Sequence, residues 1–166
     1  MKALVVYESM FGNTAEVARA VADGLVGTFD VTLADVHDMP PAAEADLLVV
    51  GAPTHAFGLS RPGTRTDAAK QGEVRAGAAA VGIREYLECS PQLPGLPVAA
   101  FDTKVKMRFL PGSAARTALR QLHGLGCRRV LPAESFRVDG TTGPLLAGEL
   151  DRARQWAKSV ATEYRR

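Results

Sequence analysis

The sequence is poor in cysteine and has no long hydrophobic run, and each absence excludes a class of protein. Cys89 and Cys127 lie far apart and form no C-x-x-C pair, which excludes the usual cysteine-based redox and zinc motifs. The longest apolar runs are only strand-sized, so the sequence predicts no membrane span. Because no leader precedes the first predicted strand and cysteines are few, we expect a cytoplasmic protein.

The sequence also lacks a dominant charge and is modest in aromatic residues. It carries 20 Lys/Arg against 18 Asp/Glu, a net charge of +2, with 6% aromatics. Residues 1–83 hold 6 basic and 10 acidic residues, and residues 84–166 hold 14 and 8. Neither half has the dense basic stripe that nucleic-acid binding requires. A length of 166 residues with 46% hydrophobic content predicts one domain, residues 1–166, with a full core.

Short hydrophobic runs alternate with helical patterns along the whole chain. Strands are predicted at 2–7, 29–34, 46–51 and 96–101, with two short candidates at 128–131 and 135–138 that could form one interrupted strand. Helices are predicted at 13–26, 83–88, 113–125 and about 145–164. Residues 53–65 are predicted to form a long loop, and residues 66–69 could begin a helix. This alternation predicts a doubly wound α/β three-layer sandwich with a parallel sheet. Ligands bind such sheets at the carboxyl ends of the strands.

The loop after the first predicted strand has the composition of a phosphate site. It consists of Ser9, Met10, Phe11, Gly12, Asn13 and Thr14 and leads directly into a helix. The free N–H groups and the positive dipole end of that helix favour an anion. The loop lacks the Lys of a Walker motif and the three glycines of a dinucleotide fingerprint. The alternative interpretation is an ordinary turn in which Asn13 or Thr14 only caps the helix.

Two further loops are predicted at the same edge of the sheet. One contains Pro53, Thr54, His55, Ala56, Phe57 and Gly58. Its flat side chains and hydrogen-bonding groups favour a ring-binding surface, and a type II turn centred on Phe57-Gly58 would give Gly58 a positive φ. His55 has no second metal-ligating residue near it in sequence, so a pocket-shaping role is favoured over a metal or proton-transfer role.

The other loop contains Phe101, Asp102, Thr103 and Lys104 at the end of the fourth predicted strand. Lys104, Lys106 and Arg108 alternate along it, as they would on the open face of an extended segment. They would place positive charge beside a ligand. The alternative is a solubilising surface loop.

Together these three loops resemble those of the flavodoxin-like FMN-binding family, and the likeness covers nearly the whole chain. It includes the tail from Glu134-Ser135-Phe136 to Gly143-Pro144-Leu145, which looks like that of the compact flavodoxin-domain proteins of high-GC bacteria. The resemblance implies a five-stranded sheet of order 2-1-3-4-5 and one non-covalent FMN. Residues 9–14 then hold the phosphate, and residues 53–58 and 101–104 bracket the ring. The implied function is electron transfer through FMN, with a redox partner protein or a small quinone-like acceptor.

The sequence departs from the family pattern at three points. Phe11 stands where the family has a hydroxyl residue, which costs about 0.5–1.5 kcal/mol in FMN binding. The only Trp, Trp156, lies in the last helix, so Phe57, His55 or Met107 would have to flank the ring. The carriers of the family are acidic, and positive charge beside the ring would instead stabilise reduced FMN. We therefore expect a less reducing flavin than that of a typical carrier.

Two other functions stay open. One is an NAD(P)H-dependent quinone reductase or a protoporphyrinogen-oxidase-like flavoenzyme, which would turn over without a partner reductase. The other is a flavin-free binding domain with the same fold. A signalling receiver domain is rejected, because the third predicted strand ends in Val50-Gly51 and not in the required Asp. No residue is assigned as a catalytic acid or base.

Overall fold

Strands and helices alternate in the computed structural model, which describes residues 1–74, 76–107 and 111–166. The strands are β1 (Lys2–Tyr7), β2 (Asp30–Asp35), β3 (Leu47–Pro53), β4 (Pro97–Val105), β5 (Arg128–Arg129) and β6 (Glu134–Val138). The helices are α1 (Asn13–Leu25), α2 (Pro62–Ala69), α3 (Ile83–Cys89), α4 (Ala114–Gly124) and α5 (Glu149–Tyr164), with a 3-10 turn at Val36–Asp38. Among these helices, none is long and apolar enough to cross a bilayer.

All strand pairings in the sheet are parallel, and the order is β2-β1-β3-β4-β5, with β6 also paired to β4. Pro97 pairs with Arg128 at the start of β4, and Phe101 pairs with Glu134 further along. β5 and β6 are therefore two parts of one interrupted fifth strand, as the sequence allowed. Pro132 lies in the interruption, where its missing N–H could not join the ladder. The predicted order 2-1-3-4-5 is confirmed.

Two hydrophobic clusters cover the faces of this sheet. On one face, α1 and α5 pack on the sheet through residues such as Val17, Val21 and Val160. On the other face, α3 and α4 contribute residues such as Leu87 and Leu122. Helices thus lie on both faces, and the carboxyl ends of β1, β3 and β4 remain at one edge of the sheet.

Two predicted boundaries near that edge were wrong. α2 begins at Pro62, inside the segment predicted as loop, because proline suits the first turn of a helix. β4 continues to Val105, four residues beyond its predicted end, because pairing with β6 sustains it. Asp102, Thr103 and Lys104 are therefore strand residues, which fixes their side chains on alternate faces.

Candidate functional site

A pocket of about 70 Å³ lies where β1, β3 and β4 end, which is room for several water molecules or a small anionic group. Ten of the predicted site residues line it: Ser9, Met10, Phe11, Asn13, Thr14, Pro53, Thr54, His55, Thr103 and Lys104. The three predicted loops therefore converge on one pocket. Val105, Val138 and Thr141 also line it and were not predicted, because the sequence does not show which part of the β6–α5 segment folds back.

The start of α1 is the strongest anion-binding feature of this pocket. Gly12 precedes the helix with φ +100°, and no side chain caps the helix. Since the first N–H groups of a helix have no intrahelical acceptor, those of α1 remain available at the pocket. Ser9 Oγ accepts a hydrogen bond from Gly12 N at 3.1 Å. The predicted alternative, a side-chain N-cap from Asn13 or Thr14, does not form.

Thr14 joins the first loop to β4 instead of capping the helix. Its Oγ1 lies 2.7 Å from Thr103 Oγ1, and both residues are buried. Either hydroxyl can donate in this pair, so the other keeps a proton that it can direct to a ligand. Thr103, which the sequence analysis assigned to the ring, thus belongs equally to the wall beside the phosphate loop.

The segment after β3 forms a tight hairpin and not the predicted type II turn. His55 N donates to Gly58 O at 2.8 Å, and Gly58 N donates to His55 O at 2.9 Å. Ala56 and Phe57 have positive φ values of 42° and 72°, whereas Gly58 does not. The positive φ thus falls before the glycine, because a two-residue hairpin of type I′ has positive φ at both central positions. This hairpin holds His55 in the pocket and leaves Phe57 58% exposed at its tip.

Six predicted site residues do not line the pocket: Gly12, Ala56, Phe57, Gly58, Phe101 and Asp102. The Phe101 ring is fully buried and packs edge-on against Phe136 and Trp156, each at 6.0 Å between ring centroids. Its side chain belongs to the core, and so does the only Trp of the chain. The sequence could not separate this role from a ligand contact, because both call for an aromatic residue at the end of a strand.

Asp102 anchors the helix that follows β4. Its Oδ2 accepts hydrogen bonds from Ser113 Oγ at 2.5 Å and from Ala115 N at 3.1 Å. Thr54 Oγ1 accepts from Ala114 N at 3.1 Å. The ends of β3 and β4 are thereby held at the start of α4. Among the described residues, Asp102 Oδ1 is buried and has no hydrogen-bond partner.

Lys104 brings a positive charge to the pocket that the first loop itself lacks. The residue is 8% exposed, and its Nζ donates to Gly112 O at 2.6 Å. Burial lowers the pKa of Lys104, Asp102 opposes this shift, and Arg137 and Arg116 add to it. Lys104 therefore sits within a group of like charges that a negative ligand would relieve.

The rest of the predicted positive segment is only partly described. Lys106 is exposed after the end of β4, and Met107 beside it is 58% exposed. Met107 does not line the pocket, although it was one of three candidates for flanking a ring. Arg108 lies outside the described residues.

His55 is the imidazole of the pocket, and its surroundings keep it neutral. Burial lowers the pKa of His55 to about 4, and the charge of Arg65 adds to this effect. Its Nδ1 lies 3.4 Å from Thr64 Oγ1. A neutral imidazole can donate one hydrogen bond and accept another. Near neutral pH, however, His55 is not an imidazolium and has no acidic proton to transfer. This favours the pocket-shaping role over proton transfer.

A buried polar network connects the residues next to the first two loops. Glu8, which immediately precedes Ser9, accepts from Ser60 Oγ at 2.5 Å and from Ile83 N at 2.8 Å. Arg65 is fully buried and donates to Ser60 Oγ at 2.8 Å and to Glu85 Oε1 at 2.5 Å. Burial raises the pKa of Glu8, although these hydrogen bonds oppose the shift.

This network ties the end of β1 to α2 and α3, next to the first two loops. Sequence reasoning missed it. The one signal was a glutamate directly after a buried strand, and only the fold brings Ser60 and Ile83, its two hydrogen-bond donors, near it.

The pocket fits the phosphate group of a nucleotide by the chemistry of its donors. It has an uncapped helix start, free or shared hydroxyls and a nearby lysine, and none of the described residues that line it is a carboxylate. Within the described part of the lining, no residue forms an acid–base or nucleophile pair. The arrangement can hold an anion and present what is attached to it at the open edge beside His55.

Comparison with known proteins agrees with this geometry. A family model described as Flavodoxin matches residues 5–102. The fold is similar to that of a flavodoxin from the domain Archaea, with a TM-score of 0.71 and 21% identity over 100% of both chains. Flavodoxin 1 from Bacillus cereus gives 0.69 and 17% over 98% of each chain. Two-electron reduced Megasphaera elsdenii flavodoxin gives 0.65 and 16%, covering 96% of this chain and 98% of the other.

Proposed function

This chain belongs to the flavodoxin family, whose model matches more than half of it, and from that premise we propose how its own residues serve electron transfer through FMN. Family membership makes it an FMN-binding electron-transfer protein. Our proposal concerns the residues: the start of α1 holds the phosphate, and the ends of β3 and β4 hold the ring. The observation that carries it is the uncapped N-terminus of α1 facing a pocket lined by all three predicted loops.

The phosphate end is built mainly from neutral donors. The first N–H groups of α1 have no acceptor within the helix, and the Asn13 amide and the shared hydroxyl proton of Thr14 and Thr103 supplement them at the pocket. Fixed dipoles of this kind favour an anion without a lysine in the loop itself. Ser9 Oγ already accepts from Gly12 N and can direct its own proton to the phosphate.

At the ring end, Thr54 and His55 directly follow β3. Thr54 Oγ1 accepts from α4 and retains its proton for a ligand, and neutral His55 supplies a flat face or one N–H. When bound, FMN supplies the electron-accepting and electron-donating chemistry, which no side chain of this pocket provides. The role of the chain is to orient the flavin, restrict water and set the local charge.

Positive charge around the ring would make this flavin less reducing than that of an acidic carrier. Lys104 lies in the pocket, with Arg137 beside it on β6 in register and Arg116 close enough to affect its pKa. Positive charges stabilise a reduced flavin, which is more negative than the oxidised form. Asp102 opposes them, since its carboxyl is buried next to Lys104. Three positive groups, Lys104, Arg137 and Arg116, are thus opposed by the single carboxyl of Asp102.

The exposed surface around the pocket favours a partner protein with an acidic contact face. The segments that follow the two ring-binding strand ends carry four exposed positive residues: Arg61, Lys106, Arg116 and Arg120. Thr117 Oγ1, on the same helix as Arg116, lies 3.7 Å from the position of a Cβ at Gly58, which brings that helix beside the hairpin. Exposed Phe57 and Met107 supply apolar contact between the charges, an arrangement common in protein interfaces.

Reconstitution with FMN tests this function directly. The FMN-loaded protein, reduced by light and a sacrificial donor, should pass electrons rapidly to a one-electron acceptor protein. Rates with an acidic acceptor should exceed those with a basic acceptor and fall as salt is raised. Sustained oxidation of NAD(P)H by quinone without any partner reductase would contradict the carrier function and favour the enzyme. A protein that stays colourless with FMN would favour the flavin-free alternative.

A further inference from the structure

The β6–α5 connection folds back over the phosphate loop and supplies a wall that the sequence pattern did not assign. Gly143 N donates to Gly140 O at 3.0 Å, which makes residues 140–143 a tight turn with Thr141 and Thr142 at its centre. Asp139 N donates to Pro144 O at 2.9 Å and closes the base of this turn. Two central side chains of one turn point in different directions, so each can contact a different surface.

Close contacts fix this turn against the start of α1. A Cβ added at Gly143 would lie 2.6 Å from Asn13 Oδ1 and 2.7 Å from Asn13 Nδ2. Glycine at position 143, with φ +102°, is therefore what allows the turn to approach Asn13 so closely. The turn thus lies directly beside the uncapped helix end.

The two threonines face different neighbours. Thr142 Cγ2 lies 3.0 Å from the position of a Cβ at Gly72, a position that the Phe11 ring approaches to 3.5 Å. Thr142 therefore turns its methyl group towards Gly72 and Phe11. Thr141 lines the pocket together with Ser9, Asn13 and Thr14. Thr141 is exposed as a residue, and its hydroxyl makes no hydrogen bond to the described residues.

We propose that Thr141 is a phosphate-binding residue, whose hydroxyl replaces the one that the first loop lacks at Phe11. This inference rests on the proposed function and adds a residue to its phosphate site. Phe11 brings no hydroxyl to the loop, while Thr141 brings one with no competing partner to the same pocket. An unpartnered hydroxyl beside a helix N-terminus is a suitable donor to a phosphate oxygen. The site is thus completed by a segment about 130 residues along the chain from the first loop.

The test compares Thr141→Val with Thr142→Val, because both changes keep the β-branched shape and remove one hydroxyl from the same turn. The dissociation constants of FMN and of riboflavin, which lacks the phosphate, are measured by quenching of flavin fluorescence. Thr141→Val should weaken FMN binding about two- to tenfold and leave riboflavin binding unchanged. Thr142→Val should change neither constant, and Thr141→Ser should restore FMN binding.

Unchanged FMN binding in Thr141→Val, or an equal loss of FMN and riboflavin, would overturn the assignment. A wild-type protein that binds no FMN would contradict the proposed function. The role of Thr141 would then be tested in a second arm of the experiment, with inorganic phosphate alone. In that arm, calorimetry with inorganic phosphate should detect weaker binding to Thr141→Val than to the wild type and to Thr142→Val. Equal phosphate affinities, or no phosphate binding at all, would overturn the role of Thr141 independently of FMN.

Discussion

Among single residues, His55 gives the pocket its clearest dependence on pH. Burial lowers its pKa to about 4 from an ordinary 6.5, so the unfolded chain takes up a proton on His55 well before the folded chain does. The free energy of unfolding is therefore unaffected by His55 above about pH 6.5, and it falls as the pH drops towards 4. Over this range the free energy of unfolding should fall by at most about 3 kcal/mol through His55 alone.

Urea denaturation of the wild type and of His55→Gln at several pH values measures this contribution. The free energy of unfolding of the wild type, relative to that of His55→Gln, should fall steadily from pH 7 to pH 4. His123→Gln, on the exposed side of α4, is the matched control and should retain the slope caused by His55. A difference between wild type and His55→Gln that does not vary with pH would show that His55 is not held neutral.

Lys104 is the residue with which to test the effect of charge on the flavin. Lys104→Met keeps the length of the side chain but removes the positive charge from the pocket. The midpoint potential of bound FMN should become more negative by tens of millivolts, because reduced FMN loses a favourable interaction on the order of 1 kcal/mol. Redox titration of the FMN-loaded protein measures this shift.

Lys158→Met removes the same charge from the exposed side of α5 and should leave the potential nearly unchanged. A shift of equal size in both variants would mean that only net charge matters. A more positive potential in Lys104→Met would contradict the electrostatic account.

At the scale of elements, the buried network next to the first two loops holds β1, α2 and α3 in place. Gly82, just before α3, lies so close to it that an added Cβ would be 2.3 Å from Glu8 Oε1 and 2.6 Å from Arg65 Nη1. Gly82→Ala should therefore destabilise the protein by about 2 kcal/mol, since these groups are packed and hydrogen-bonded and cannot shift freely. Chemical denaturation measures the loss.

Gly63→Ala is the matched control, because a Cβ there meets no heavy atom within 4 Å. Gly63 lies within α2, where alanine is favoured over glycine by about 0.5–1 kcal/mol. The control should therefore be neutral or slightly more stable. If Gly82→Ala were also neutral or more stable, the groups around Gly82 would not be packed as closely as the structure shows.

The elements also show what could be predicted from the sequence. The buried strand at 2–7 and the helix after Gly12 were predicted correctly, because local hydrophobic periodicity and one turn define them. The extension of β4 to Val105 was missed, because it depends on pairing with β6 about 30 residues later. The hairpin at 55–58 was misassigned, because Ala56 and Phe57 occupy a conformation that residue preferences assign to glycine.

For the molecule as a whole, the order of strands determines which loops meet. The alternation of strands and helices was enough to predict that the loops after β1, β3 and β4 share one edge of the sheet. It could not show that Thr141, from the connection to α5, folds back to the same pocket, nor that Phe101 turns into the core. Both outcomes depend on contacts between segments far apart in sequence, which no local pattern records.

Whole-molecule charge separates this chain from an acidic carrier, since its net charge is +2 and basic groups surround the pocket. The central claim is nevertheless the simpler one, that the start of α1 holds the phosphate of FMN.

Titration of the purified wild-type protein with FMN and with riboflavin, followed by flavin fluorescence, tests that claim most directly. The account predicts that FMN binds at least about tenfold more tightly than riboflavin, since charge-assisted hydrogen bonds to the phosphate each contribute about 1.5–3 kcal/mol. Equal affinities for the two flavins, or no binding of either, would contradict it.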